Sequence, residues 1–355
     1  MAFGTVSDPF VAAALWAGIG ALATSLSLLA AIGVMRWRLL RRLEREARLA
    51  ARWNPLIAEC AERVPQKLPR LAERDAETVL ILWVRAQETL RGEAQTNLNA
   101  LATRGGLAEQ AESFLRSRSA RRQLLAIVVF GHLRDRAKIE FLEVLIAEGG
   151  PLASLSAAQA LLRIDQSRGL ARLIVAAARR DDWAVGQVAA VLMDADPARV
   201  AMHLSAVIRA ERQAPGDGPG LAQLLRLHGT AKAESMRPVV QEMLARSSES
   251  EVLAAALATL WHPADADLAR KYLEHPEWIV RIAATHALHR LGGREDLPRL
   301  ALLLADGNWW VRRRAAQALC ALPGVRLEEL QGLAASLADR FAGDALNQAL
   351  ADLKA

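Results

Sequence analysis

The chain has 355 residues, 52% hydrophobic and 24% charged, without a long polar or acidic tract, and this composition excludes a disordered protein. Tyr occurs once and Phe six times, so strong helix formers prevail over the residues that sheets favour, and an all-α fold is predicted. The two cysteines match neither a disulfide framework nor a zinc spacing, and the net charge of +6 raises the question of an anionic partner.

The first predicted element is the stretch 10–35, which contains no charged side chain. As a helix it is about 39 Å long, against a hydrocarbon core of about 30 Å. A signal peptide is the alternative, but residues 1–9 carry only Asp8 and lack the basic start that such peptides need. The sequence therefore predicts one transmembrane helix, preceded by a short extracytoplasmic segment at residues 1–9.

An Arg-rich juxtamembrane helix, residues 36–53, follows this stretch. Basic residues next to a span stay on the cytosolic side, so we expect the N-terminus outside and everything after the span in the cytosol. Leucines and alanines recur here at helical spacing, which predicts a helix along anionic headgroups that ends at Asn54-Pro55. The predicted membrane-surface residues are Arg36, Arg38, Arg41, Arg42, Arg45, Arg48 and Arg52.

The distribution of charge weakens the case for a nucleic-acid binder. Residues 1–35 carry −1 and residues 36–52 carry +5, which leaves +2 for residues 53–355. The excess of basic residues is thus mostly a topology signal rather than a field for phosphates.

Internal repeats occupy most of the remaining chain. The apolar pattern of residues 277–293 recurs in residues 308–324, so that Val280 corresponds to Val311, and a weaker copy lies at 250–260. Each unit is predicted to be two amphipathic helices, and stacking such pairs buries a continuous core, as in an α-solenoid. The predicted segments are a helical capping region at 54–118, repeats at 119–212, a Gly-rich linker at 213–220, repeats at 221–324 and C-terminal capping helices at 325–355.

The pattern V-R-x-x-A-x-x-A-L, which begins at Val280 and again at Val311, resembles the HEAT-repeat family, including its lyase-like variant. The resemblance implies a ladder in which an Asp of one inter-helix turn meets an Arg at the start of a second helix. Asp306 and Arg312 match these positions, whereas His275 stands where another Asp is expected. The order of span, Arg-rich helix and solenoid is also similar to bacterial membrane-anchored HEAT proteins associated with envelope polysaccharide glycosyltransferase systems, which implies the bacterial inner membrane.

Three tryptophans share one repeat phase, in the strings WAV at 183–185, WIV at 278–280 and WWV at 309–311. One interpretation is that each indole closes the end of its helical pair like a hydrophobic staple. The other is a partner-binding ridge, because Trp and Arg are enriched at interface hot spots. The candidate partner-binding residues are Trp183, Trp278, Trp309, Trp310, Arg281, Arg312, Arg313 and Arg314.

The sequence predicts no enzyme, no metal site and no cofactor. The seven histidines include one pair three positions apart, His286 and His289, without a further ligand at a zinc-like spacing. Residues 216–220, GDGPG, lack the strand and the Lys-Ser/Thr of a phosphate loop.

We therefore expect a non-catalytic, membrane-tethered scaffold that binds a membrane-associated protein partner and contacts the lipid bilayer through residues 10–35. A nucleic-acid-binding HEAT-like protein is the alternative, because some relatives bind DNA on a basic face. A cofactor-handling protein, as in bilin-attaching relatives, is a third possibility.

Overall fold

The computed structural model describes residues 9–212, 219–231 and 234–353, and every regular element in these ranges is a helix. The all-α prediction is confirmed. Residues 1–132 and 133–355 form two compact units, described separately below. The predicted N-terminal segment, apart from its last residue, and most of the predicted linker at 213–220 lie outside the described residues.

The first unit begins with a single long helix, α1 (Pro9–Glu59). From Trp16 to Glu44 every described side chain is exposed, the apolar ones included. Within the part of the chain that the structure describes, this helix is the one long and apolar enough to cross a membrane.

The sequence predicted that this helix ends at Asn54-Pro55, and the prediction is wrong. Helix α1 continues through Pro55 to Glu59. A proline inside a helix removes one backbone hydrogen bond and costs about 3 kcal/mol. Trp53, Ile57 and Cys60, on either side of the proline, are all buried. Burial of each large apolar side chain stabilises the helical path by roughly 1.5–3 kcal/mol, which offsets the cost of the proline.

Four shorter α-helices follow in the described part of the first unit, and the side chain of Trp83 is buried among them. Its indole N–H donates to the carbonyl of Leu98 at 2.9 Å, and its ring meets His132 edge-on at 6.1 Å between centroids. The buried indole therefore has its polar atom satisfied, which a large aromatic core residue requires. The helices are α2 (Ala76–Thr89), α3 (Glu93–Arg104), α4 (Leu107–Leu115) and α5 (Ala120–Leu133).

The second unit is an α-solenoid of consecutive helical pairs. From α10 onward the two helices of each pair pack against each other, and the second helices also pack in a row from α11 through α13, α15 and α17 to α19. The helices are α6 (Ile139–Glu148), α7 (Pro151–Ile164), α8 (Gln166–Arg179), α9 (Val185–Leu192), α10 (Pro197–Arg212), α11 (Pro219–Ala231), α12 (Arg237–Arg246), α13 (Ser250–Thr259), α14 (Ala266–Arg270), α15 (Trp278–Leu291), α16 (Leu297–Leu302), α17 (Trp309–Ala321), α18 (Leu327–Ser336) and α19 (Arg340–Asp352).

The repeated positions of α15 and α17 are the ones that face the core. Val280, Ala284 and Leu288 have no exposed surface, and neither do their counterparts one repeat later, which are Val311, Ala315 and Leu319. Small alanines at the middle position allow neighbouring helices to approach closely. The sequence repeat is thus a packing repeat.

The turn before α17 is held by two side chains. The Asn308 side chain accepts from the N–H of Trp310 at 2.9 Å, and Asp306 accepts from the N–H of Asn308 at 2.8 Å. Both contacts satisfy donors that a helix start otherwise leaves free. They fix the first turn of α17 and with it the direction of its tryptophans.

Candidate functional site

Exposed aromatic side chains mark the N-terminal ends of three adjacent helices, α15, α17 and α19. The exposed fraction is 42% for Trp278, 48% for Trp309, 58% for Trp310 and 66% for Phe341. We call these four residues the aromatic ridge. Their common position follows from the sequence repeat, because the same turn returns at the same end of each second helix.

Trp309 and Trp310 support each other at the middle of the ridge. Their rings meet edge to face with centroids 4.6 Å apart, and the guanidinium of Arg313 lies 5.4 Å from the centre of the Trp309 ring. Such contacts stabilise ring orientation by about 0.5–1.5 kcal/mol each. The pair therefore presents a stiff, half-exposed surface, and Trp310 is the more exposed of the two.

Phe341 belongs to the ridge but was missed by the sequence analysis. It stands one repeat after Trp310, and its own N–H donates to Asp339, as that of Trp310 does to Asn308. Extending the repeat by one period would have found it. The weak helical pattern after residue 325 hid the correspondence.

Trp183 is not part of the ridge, contrary to the prediction. Only 3% of its side chain is exposed, and its indole N–H donates to the hydroxyl of Ser154 at 2.9 Å. Trp183 lies two positions before the start of α9, whereas Trp278 and Trp309 are the first residues of their helices. This offset, together with a buried hydrogen-bond partner, places the indole in the core.

Arg281 links two successive repeats, and its side chain is mostly buried rather than exposed for a partner. Its Nε and Nη2 donate to the two carboxylate oxygens of Asp306 at 2.7 and 2.9 Å, and its Nη1 donates to the carbonyls of His275 and Pro276, both at 2.8 Å. Burial by itself raises the pKa of Asp306, but the bonds from Arg281 and the N–H of Asn308 outweigh it and lower the pKa below the ordinary carboxyl value. The pair links α15 to the turn before α17.

The Arg–Asp ladder predicted from the resemblance therefore exists, with a different pairing. The Asp306 carboxylate pairs with Arg281 of the preceding repeat, and Arg312 donates to the backbone carbonyl of Asp306 rather than to its carboxylate. At His275 the ring Nδ1 accepts from the N–H of Glu277 at 3.2 Å, which is the contact that Asp306 makes with Asn308. His275 thus supports the helix start without an ion pair.

The three consecutive arginines of α17 do not form one patch, because successive helical residues point about 100° apart. Arg312 turns toward the preceding turn and lies 5.7 Å from the Phe341 ring centre, and Arg313 covers Trp309. Arg314 donates to Gln317 at 3.2 Å and lines a separate groove with His289 and Cys320. Arg313 therefore adjoins Trp309 and Arg312 adjoins Phe341, whereas Arg314 lies at the separate groove.

A second row of ion pairs, which sequence reasoning missed, links the first helices of successive repeats. Arg237 donates to Asp265, and Arg270 donates to both oxygens of Asp296 at 2.6 and 2.8 Å. Burial raises the pKa of Asp296, but bonds from Arg270 and the N–H of Gly293 outweigh it and lower the pKa. The two aspartates stand one repeat apart, which was the available signal.

The first unit carries a basic groove of about 880 Å³ between α1, α2 and the start of α5. Four of the lining arginines have carboxylate partners: Arg42 pairs with Glu46, Arg45 with Asp75, and Arg121 and Arg122 with Glu77. These partners offset the charge that Arg42 and Arg45 would offer to lipid headgroups. The seven arginines from Arg36 to Arg52 remain predicted membrane-surface residues.

The histidines of α15 lie side by side, with the rings of His286 and His289 stacked 6.3 Å apart. Burial first, then the charges of Arg290, Arg314 and His289, lower the pKa of His286 to about 4. Among the described residues, no group of three His, Cys, Asp or Glu side chains is arranged to hold a metal ion.

Comparison with known families identifies a segment that contains three of the four ridge residues, Trp278, Trp309 and Trp310. Residues 224–320 match the family model for HEAT repeats. No curated protein matches the chain. The matched segment contains α13, α15 and α17, whose packing positions recur in the sequence.

Proposed function

Since residues 224–320 match the family model for HEAT repeats, we propose that the chain is a membrane-tethered scaffold whose solenoid binds a protein partner. HEAT repeats are typical of protein-interaction scaffolds, which present an extended surface built from the same position of successive repeats. The proposed role needs no catalytic residue. The observation that carries it is the aromatic ridge.

The ridge has the composition of an interface centre. A whole Trp or Phe side chain has roughly 150–250 Å² of surface, so the four half-exposed rings offer roughly 300–500 Å², about half of the per-partner area of a standard protein–protein interface, about 800 Å². Exposed rings lack the favourable free energy that apolar surface gains when it is removed from water. A partner that covers Trp309 and Trp310 recovers it, and Arg313 supplies a cation at the edge.

The exposed apolar half of α1 supports the membrane tether. Its side chains from Trp16 to Met35 have no protein neighbours that cover them in the first unit. A helix of this length is stable in a bilayer, where hydrocarbon replaces the missing protein contacts. The resemblance to membrane-anchored HEAT proteins makes an envelope polysaccharide glycosyltransferase the first partner to look for in the same membrane.

The experiment is partner recovery from membranes with the full chain. We expect Trp310→Ala to weaken partner binding by about 2 kcal/mol or more, roughly 30-fold, because it removes the most exposed indole of the ridge. The melting temperature should not change, since the indole covers little of the core. Recovery is measured by cross-linking and quantitative co-purification.

The control is Leu302→Ala, which removes another exposed apolar side chain of the second unit, 75% exposed and on the first helix α16 rather than at the start of a second helix. It should leave partner recovery unchanged. Equal recovery with Trp310→Ala and Leu302→Ala would show that the ridge is not the binding surface.

Nucleic-acid binding is the second candidate, favoured by the basic groove of the first unit. Arg74 and Arg85 line that groove beside the paired arginines. The small net charge of residues 53–355 counts against it, because affinity for phosphates grows with the number of cations that contact them. Tight, salt-dependent DNA binding by the full chain, lost on Arg74→Gln and Arg85→Gln, would favour this candidate.

A further inference from the structure

Arg281 and Arg312 occupy the same position in successive repeats and are held in the same way on one side. The Nη1 of Arg281 donates to the carbonyls of His275 and Pro276, both at 2.8 Å. The Nη1 of Arg312 donates to the carbonyls of Asp306 and Gly307, at 2.8 and 3.3 Å. Both guanidinium groups are therefore fixed against the turn that precedes their helix.

The opposite edges of the two guanidinium groups differ. In Arg281 the Nε and Nη2 donate together to the Asp306 carboxylate. The residue that stands one repeat after Asp306 is Leu337, which has no carboxylate. The Nε of Arg312 is buried and has no hydrogen-bond partner among the described residues.

A buried donor of a charged group that has no acceptor destabilises the folded protein, because its lost hydration is not replaced. The guanidinium edge formed by Nε and Nη2 matches a carboxylate in two parallel hydrogen bonds. Arg312 is thus a preformed half of an ion pair whose other half the chain does not supply at the repeat position.

We propose that Arg312 binds a carboxylate side chain, Asp or Glu, of the protein partner, in the groove beside the aromatic ridge. This inference rests on the proposed function and identifies the chemistry that the partner presents there. The groove has a volume of about 390 Å³ and lies between α17 and α19, lined by Trp309, Arg312, Arg313, Gln317 and Phe341, among others. The partner's acidic residue has an apolar neighbour, because two aromatic rings form the groove walls.

The charged groups already in the groove leave room for this carboxylate. Asp344 pairs with Arg340 at 3.7 Å, and Asp352 accepts from Gln348 at 2.9 Å, so each acid has a partner of its own. Arg313 supplies a second cation. The Phe341 ring lies over the Arg312 guanidinium and is itself mostly exposed. The incoming carboxylate displaces this ring to reach Nε.

The first test supplies the missing carboxylate within the chain. In the full chain, Leu337→Asp places an acid where Asp306 stands one repeat earlier, and it should melt at a higher temperature than the matched control Leu337→Asn. The difference should disappear in an Arg312→Gln background. No difference between Asp and Asn at position 337 would contradict a preformed carboxylate site.

The second test supplies the carboxylate from outside. The probe is the peptide acetyl-Leu-Asp-Leu-amide, compared with acetyl-Leu-Asn-Leu-amide, titrated calorimetrically into the full chain in zwitterionic nanodiscs. We expect the Asp peptide to bind at least tenfold more tightly, and Arg312→Gln and Leu337→Asp each to abolish that preference. Equal binding of the two peptides, or a preference that survives Arg312→Gln, would overturn the proposal.

The two proposals fail in different ways. Trp310→Ala should leave the peptide preference intact, because Trp310 is not among the groove-lining residues. If Trp310→Ala abolishes partner recovery while the Asp peptide shows no preference, the scaffold proposal stands and the carboxylate site does not exist. If the peptide preference depends on Arg312 but partner recovery ignores Trp310, the carboxylate site exists and the ridge proposal is wrong.

Discussion

One buried side chain of the second unit, His228, shows how burial keeps a titratable group neutral. His228 on α11 is 1% exposed, and burial lowers its pKa to about 4. Its Nδ1 is buried and makes no hydrogen bond among the described residues. The side chain is therefore neutral in the folded protein near neutral pH, although nothing in the sequence around it distinguishes it from the other histidines.

Replacing His228 by Gln should flatten the dependence of stability on pH between about 4 and 6.5. The histidine of the unfolded chain has a pKa of about 6.5. Below that pH the unfolded state binds a proton and the folded state does not, so the free energy of unfolding falls as the pH falls. At pH 5 the loss is about 2 kcal/mol. Urea unfolding of the full chain at pH 7 and pH 5 measures it.

The quantity to compare is the change in the free energy of unfolding between pH 7 and pH 5, in the wild type and in the variant. The stability of the variant at a single pH does not test the prediction. His286 contributes in the same window, since its pKa is also lowered to about 4. Some pH dependence should therefore remain in the variant. An unchanged dependence would mean that His228 is protonated in the folded protein.

Helices are the scale at which the repeat acts. The positions that recur between α15 and α17 are buried without exception at the Val, Ala and Leu sites. The ion pair from Arg281 to Asp306 adds a directional link that hydrophobic packing alone lacks. Truncating one member of such a buried pair leaves the other uncompensated, so the link also specifies which turn follows which helix.

Ala315→Leu should destabilise the solenoid by about 1–3 kcal/mol. Ala315 has no exposed surface in α17, so the larger side chain forces the neighbouring helices apart. The matched control is Ala321→Leu on the same helix, where the side chain is exposed. Thermal melting of the full chain decides, and equal melting temperatures for the two variants would show that the repeat alignment is wrong.

The whole molecule combines an apolar helix, a basic flank and a repeat array. The charge is concentrated just after the apolar stretch, where residues 36–52 carry +5 of the total +6. On the positive-inside rule this flank remains in the cytosol, and we propose that the HEAT repeats follow it there.

A topology experiment tests this proposal directly. A reporter that is active only in the periplasm, fused after Arg52, should be silent, whereas a reporter that is active only in the cytosol should work at the same position. Periplasmic activity would reverse the proposed orientation. Release of the full chain from membranes by high salt would contradict the proposed membrane span, because a transmembrane helix is not released by salt.

The sequence by itself determined the helical class, the position of the apolar stretch and the packing repeat of the last helical pairs. These features depend on the order of apolar and polar residues along one helix, which is local and periodic. Val280 and Val311 were therefore assigned to the core correctly. The same reasoning, extended by one repeat, predicts the position of Phe341.

Only the tertiary structure decided which of the repeated residues face water. Trp183 and Trp309 share a local motif. The indole N–H of Trp183, however, donates to the hydroxyl of Ser154, which is distant in sequence, and this bond holds the ring in the core. Pro55 stays helical because Trp53 and Ile57 are buried around it, and Arg312 lacks an acceptor because Leu337 stands where Asp306 does one repeat earlier. In each case the outcome depends on contacts between residues distant in sequence, whose free energies exceed the local preference.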